Sequence, residues 1–235
     1  MAATPPADGP LLVYGPRSLE YDFGPGHPLT PKRFGPGIDL LRAVGAEPGL
    51  APAPATDDDL LRVHLPAYLA QVRRFSADPS LPGAMGVGLS DQPAFAGMHE
   101  VSATVAAGSL RAMEAILRGD VEHAHQPGGG LHHAMPAKAW GFCIYNDPAL
   151  AVARARAEGL RVLYVDLDVH HGDGVQLVAY DDPGVLTLSW SESVSTPGSS
   201  YATSWTPSPW WTSRSTYRTR SPSARARATA SAGSL

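Results

Sequence analysis

The spacing of apolar residues divides this chain into two unlike parts. From residue 11 to 189, short apolar runs alternate with stretches in which apolar positions recur every three or four residues. Val101, Val105, Leu110, Met113 and Leu117 recur at helical spacing and predict an amphipathic helix, with Gly119 as its stop. Asn146 or Asp147 can cap a second helix that has Pro148 in its first turn and Gly159 at its end. The run Val162-Leu163-Tyr164-Val165 predicts a strand buried on both faces, and Val185-Leu186-Thr187-Leu188 predicts another. Strands separated by helices imply an α/β fold, a parallel sheet with helices packed on it.

After Ser189 the pattern stops. No Asp or Glu follows Glu192, and no Val, Leu, Ile, Met or Phe occurs between Val194 and Leu235. Ser, Thr, Arg and Pro dominate there, with Trp205, Trp210 and Trp211 interspersed. Such a segment buries too little apolar surface to offset the roughly 1–2 kcal/mol of backbone entropy lost per ordered residue. The reading is therefore a flexible start over 1–10, a folded domain over 11–190 and a disordered tail over 191–235.

Composition narrows the function. With 235 residues and 43% hydrophobic positions, the chain can bury the core of one domain and carry a disordered end. A formal charge of −4 argues against a nucleic-acid partner; Arg214, Arg218, Arg220, Arg225 and Arg227 would support one only from the tail. No apolar run approaches the roughly 20 residues that cross a bilayer, and Met1 to Pro10 lacks a secretory pattern. The single cysteine, Cys143, excludes an internal disulfide. A soluble cytoplasmic protein without membrane partners is the expectation, its oligomeric state open.

Candidate chemistry concentrates in two places. Asp166, Asp168 and His170 follow the first apolar strand at alternate positions, so they can converge where the strand leaves the sheet. Ligands of open α/β sheets bind at that edge, and carboxylate oxygen with imidazole nitrogen suits zinc or another divalent metal. The plain alternative is a polar loop, which would have to gather four ionisable groups, Asp173 included, at a buried strand end. The second place is Gly128-Gly129-Gly130-Leu131-His132-His133-Ala134. Paired histidines titrate near neutral pH and suit acid–base work, and the glycines permit close backbone approach to a ligand. Alone the pair reads equally well as surface histidines.

Together these residues resemble the histone deacetylase superfamily. Gly130 to Ala134, Gly141-Phe142-Cys143-Ile144-Tyr145-Asn146-Asp147 and Asp166 to Gly174 stand in that family's order and spacing. Tyr21-Asp22-Phe23-Gly24-Pro25-Gly26-His27-Pro28, with Pro31 and Arg33, is similar to its first loop, and His64 to Tyr68 and Asp91-Gln92-Pro93 also match. The Pro127-to-His133 run leans toward the bacterial acetoin-utilisation branch. The resemblance covers roughly 11–189 and implies a three-layer, arginase/deacetylase-like fold, a central parallel sheet with helices on both faces. It implies hydrolysis of an acetylated lysine or small acetylated amine, with one Zn2+ or Fe2+ per chain and a structural K+. Asp168 and His170 match two of three metal ligands. His132 and His133 match the tandem histidines that activate a metal-bound water and protonate the leaving amine. Asp166 and Asp173 match the carboxylates that orient them. Asp91 matches a rim residue that holds substrate, and Gly141 and Phe142 match tunnel walls. Asp166, Asp168, His170 and Ser189 match contributors to the potassium site. Cys143 then reads as a buried wall residue, and His123 and His125 as ordinary strand residues.

The pattern also breaks. The family's third metal ligand, a later Asp, and its oxyanion-stabilising Tyr or His have no counterpart: no Asp follows Asp182, and Tyr201 and Tyr217 lie in no Gly-rich loop. Trp190 and Ser191 replace the family's apolar residue and His. A truncated or frameshifted reading frame, with the sheet incomplete on its C-terminal side, is the expectation, and a natural disordered tail the alternative. An inactive fragment is the rival function. An arginase-type manganese ureohydrolase is a further one, although His170-His171-Gly172-Asp173 does not reproduce its Asp-x-His-x-Asp spacing.

Overall fold

Helix α4, Met98–Arg118, is the element around which the others gather in a computed structural model that describes residues 9–89, 91–191, 202–205 and 229–231. Its apolar spacing predicts a stripe facing one layer, but Ala103, Ala106 and Ala107 are buried along with Val101, Val105 and Leu110. The small side chains let neighbours approach from several sides, so α4 is a central helix. Gly119 ends it in a left-handed conformation, as the sequence predicts. Helix α5, Asp147–Ala157, packs against α4, and its N-cap is Asn146, whose side chain accepts from the Ala149 amide at 2.9 Å. Asp147 is therefore the first residue of the helix and not its cap.

The smaller elements fall on either side. Strand β1 (Leu11–Val13) runs parallel to β2 (Pro48–Leu50) and to β3 (His123–His125), which pairs in parallel with β7 (Thr229–Ser231). Helices α1 (Phe34–Ala43), α2 (Asp57–Leu60) and α3 (Pro66–Ala77) fill the chain before α4, and α3 packs against α4. Strand β4 (Val162–Asp166) is followed by α6 (Asp173–Ala179) and by β5 (Val185–Ser191), which pairs with it in parallel. Strand β5 also pairs antiparallel with β6, Ala202–Trp205. The parallel α/β expectation thus meets two hydrogen-bonded sheets and one antiparallel pair among the described residues. Strands β6 and β7 fall within the stretch read as an unstructured tail. The rest of that stretch beyond Ser191, its five arginines included, and residues 1–8 lie outside the described residues.

The expectation that β4 is buried on both faces is corrected. Val162, Tyr164 and Asp166 point to the face that packs against the helical layer, where Val162 meets Met113 and Ala151. Leu163 and Val165 point the other way and are 61% and 46% exposed, and the loop continues the stripe with Leu167 at 80% and Val169 at 53%. The period-two alternation is therefore real, but among the described residues only one face has a layer upon it. Apolar residues alone cannot reveal this, because a one-face strand with Leu on its bare side reads like a two-face strand.

A contiguous apolar stripe of this kind binds hydrophobic dyes. The double variant Leu163→Thr, Val165→Thr keeps strand-favouring side chains and should lower anilinonaphthalene sulfonate fluorescence. Stability should change by no more than about 0.5 kcal/mol per site, as for exposed positions. A loss of several kcal/mol on urea unfolding would show that the face is covered.

Candidate active site

The glycine-rich loop meets the end of β4 and the start of α6 through two short hydrogen bonds. His132 Nδ1 and Asp166 Oδ2 are 2.6 Å apart, and His133 Nδ1 and Asp173 Oδ1 are also 2.6 Å apart. With both Nδ1 atoms donating to carboxylates, each ring's Nε2 is the nitrogen left to accept, an assignment that follows from the partners. The two rings lie 4.1 Å apart, and His133 is 5.8 Å from His170. His132 Nε2 stands 3.9 Å from Asp168 Oδ1.

Asp166 is fully committed. Its Oδ2 accepts from His132 and from the Tyr164 hydroxyl at 2.7 Å, while Oδ1 accepts from the Asp168 amide at 3.0 Å. Burial opposes charge on both members of the His132–Asp166 pair. Burial is the largest single influence, but the hydrogen bond between them, their mutual attraction and the neighbouring carboxylates and donors together outweigh it, holding the carboxyl below its usual range and the imidazole above its own. Gly172 makes the fit possible, because a Cβ there would stand 2.2 Å from Asp166 Oδ2. Across the parallel register Ser189 faces Asp166, and its hydroxyl accepts from the Gly172 amide at 3.2 Å.

Asp168 and His170 form the next turn. The His170 amide donates to Asp168 Oδ1 at 2.7 Å, and His170 Nδ1 lies 2.8 Å from the same oxygen. The pair offers one carboxylate oxygen and one imidazole nitrogen side by side, a donor set that suits zinc or iron(II). Among the described residues no group of three His, Cys, Asp or Glu side chains converges to hold a metal. The pair therefore fits a divalent site as two of its donors.

These groups open into one cavity of about 530 Å³. Its lining includes His132, His133, Asp168 and His170 together with Asp91, Gly141 and Phe142. The residues expected to contact the catalytic metal, the water or the substrate therefore line the same space, whereas Asp166, Asp173 and Ser189 are not part of its lining. Gly141 has φ +53° and a Cβ on it would meet the His133 ring at 2.2 Å, so only glycine permits wall and histidine to touch. Cys143 is buried, as expected of a wall residue, and burial pushes its thiol well up.

Sequence reasoning missed the supports. Asp147 accepts from the Gly130 and Leu131 amides at 3.0 and 2.8 Å and from the Ser109 hydroxyl, and burial raises its carboxyl against those bonds. Asn146 caps α5 and also donates to the His132 and Ala134 carbonyls at 3.0 and 2.9 Å. Tyr164 could have been found, since it lies two residues before Asp166 on the same strand face.

The domain model described as the histone deacetylase domain matches residues 27–204. The acetoin utilization protein AcuC of Bacillus subtilis is 40% identical over 189 residues, covering 77% of this chain and 49% of that protein. Histone deacetylase 19 of Arabidopsis thaliana is 35% identical over 189 residues, covering 75% of this chain and 37% of its own. A crystal structure of a histone deacetylase homologue complexed with SAHA superposes with a TM-score of 0.68 at 32% identity, covering 78% of this chain and 51% of that one. A homologue from Aquifex aeolicus gives 0.67 at 30% identity, with the same coverage. The chain spans about half the length of the curated relatives it matches. No helix among the described residues is long and apolar enough to cross a membrane.

His64 supports the loop from behind, and it supplies a pH test. Its Nε2 accepts from the Asn146 amide at 3.0 Å and its Nδ1 lies 3.1 Å from the Met135 carbonyl. Burial lowers its pKa from 6.5 to about 4. The unfolded chain takes up this proton as pH falls through 6.5, while the native chain does so only near 4. Stability is therefore full above 6.5 and declines toward 4, by on the order of 3 kcal/mol from this group. His64→Gln retains a donor and an acceptor but does not titrate. Its urea midpoint should fall less between pH 7 and pH 5 than that of the parent chain. Equal falls would contradict the assignment.

Proposed function

The chain belongs to the histone deacetylase family, and from that membership we propose that its cavity hydrolyses an acetylated amine. The substrate is an acetyl-lysine side chain or a small acetylated amine, and the products are acetate and the free amine. The observation that carries this reading is the pair of carboxylate-bound histidines lining the cavity beside Asp168 and His170. The ureohydrolase alternative is not retained, because the matching family is the deacetylase one.

A divalent metal held by Asp168 and His170, zinc or iron(II), would supply Lewis-acid polarisation of the acetyl carbonyl. His133 takes a proton from the attacking water at Nε2 and returns it to the amine nitrogen as the C–N bond breaks. Asp173 holds its ring for both transfers. His132, held at Nδ1 by Asp166, presents its Nε2 beside Asp168 in the same cavity. Phe142, Leu29 and Trp140 give the cavity an apolar wall for a lysine stem. Asp91 at the rim accepts hydrogen bonds from the substrate backbone. Ser189, with Asp166, Asp168 and His170, is the proposed place of a structural potassium ion. A second reading, binding without turnover, has one observation in its favour: the donor set among the described residues stops at two.

Zinc stoichiometry and turnover of an acetyl-lysine peptide by the 235-residue chain test both readings. His170→Ala should bind zinc more weakly than the parent chain, and His133→Ala should lower any turnover by about 10²–10⁴. Unchanged zinc affinity in His170→Ala, or unchanged turnover in His133→Ala, would overturn the assignment. Zinc and peptide binding without any turnover in the parent chain would establish the second reading.

A further inference from the structure

We infer that Tyr21 is a positioning residue of this cavity, whose hydroxyl holds the Phe142 wall in place against the tandem histidines. The inference deepens the acetyl-amine reading and rests on it. Phe142 sits in a tight turn closed by hydrogen bonds between Trp140 and Cys143, at 3.1 Å from the Trp140 amide and 2.9 Å from the Cys143 amide. The two central residues, Gly141 and Phe142, have φ +53° and +65°. Glycine adopts that region freely, but a phenylalanine there is strained. Something outside the turn must hold it.

The hydroxyl of Tyr21 is placed to do so. It donates to the Phe142 carbonyl at 2.7 Å and accepts from the Ile144 amide at 3.1 Å, bridging both sides of the strained residue. Tyr21 is itself buried, and its ring meets Phe23 and Phe95 edge-on at 5.4 and 6.1 Å. Burial raises its pKa well above 10.0, so the hydroxyl keeps the proton it donates. The Phe142 ring rests on His27 at 4.6 Å, and His27 Nε2 lies 3.1 Å from the Asp91 carbonyl. One phenol therefore ties the first loop to the wall, and the wall reaches the rim at Asp91 through His27 and the ring of His133 through Gly141.

The test separates positioning from mere packing. Tyr21→Phe keeps the ring and removes only the hydroxyl. In the full chain with zinc, it should weaken binding of an acetyl-lysine peptide roughly tenfold, about one lost hydrogen bond. The same change made in a Phe142→Ala background should have no further effect, because the wall through which it acts is gone. In 4-fluorophenylalanine-labelled chain, the Phe142 fluorine resonance, assigned by Phe142→Leu, should shift and broaden in Tyr21→Phe. Unchanged affinity with faster exchange of the Ile144 amide would reduce Tyr21 to a structural role, and additive effects would do the same. Should Tyr21→Phe fail to fold, adding Phe142→Gly removes the strain and should restore the fold but not the affinity; parental affinity in that double variant overturns the proposal. If Phe142→Ala leaves affinity unchanged, the reading of the cavity fails instead. If the parent chain does not bind the peptide at all, that reading also fails, and an unshifted fluorine resonance would end this inference as well.

Discussion

The site depends on a single constraint: a loop with no regular structure must be held against the end of one strand and the start of the next helix by two imidazole–carboxylate hydrogen bonds. Asp166 and Asp173 reach back across a gap of more than thirty residues to His132 and His133. Each bond joins groups that are at least partly removed from water, where a charge-assisted contact is strong and an unmatched partner is expensive. Everything near them serves that geometry. Asp147 gathers the Gly130 and Leu131 amides, Asn146 holds the His132 and Ala134 carbonyls, and the Tyr164 hydroxyl donates to the same Asp166 oxygen that binds His132. Removing any support leaves a buried polar group without its partner, so the loop has little freedom to rearrange.

Much of this was legible in the sequence because the chemistry is local there. Asp166, Asp168 and His170 share a strand exit, and His132 and His133 are adjacent, so both clusters announce themselves by residue type and spacing. The helix from Met98 and the one capped by Asn146 follow from periodicity and capping. What escaped was everything set by distant contact. Asp147 looks like a cap because its burial is decided by a loop fifteen or so residues earlier. Tyr21 looks like one aromatic among several, although its hydroxyl binds a turn 121 residues away. Strand β4 looks doubly buried because an apolar run carries no information about whether a second layer exists. The resemblance to a family connected the clusters; residue spacing alone left the histidine pair open.

The two halves of the candidate chemistry differ in completeness. The acid–base half is closed: both histidines have their carboxylates, and those carboxylates have their own supports. The metal half consists of Asp168 and His170, with no third converging donor among the described residues. A two-donor set binds a divalent ion weakly, since a catalytic zinc commonly has three protein ligands. Next to it lies the bare stripe of Leu163, Val165, Leu167 and Val169. Among the described residues, the same stretch of chain, β4 and the loop after it, thus carries both the two-donor set and the exposed apolar face. The acetoin utilization proteins that match 77% of this chain extend well beyond the matched stretch, which is 48–49% of their own length.

The most direct measurement of the central constraint needs no metal and no substrate. Proton NMR of 15N-histidine-labelled chain should show two far-downfield imidazole Nδ1–H resonances, the signature of short bonds to carboxylates. Asp166→Asn should remove the one belonging to His132 and leave that of His133, while Asp173→Asn should do the reverse. Absence of both resonances in the parent chain, or their persistence in both variants, would show that the histidines are not held by these carboxylates, and the account of the site would fall.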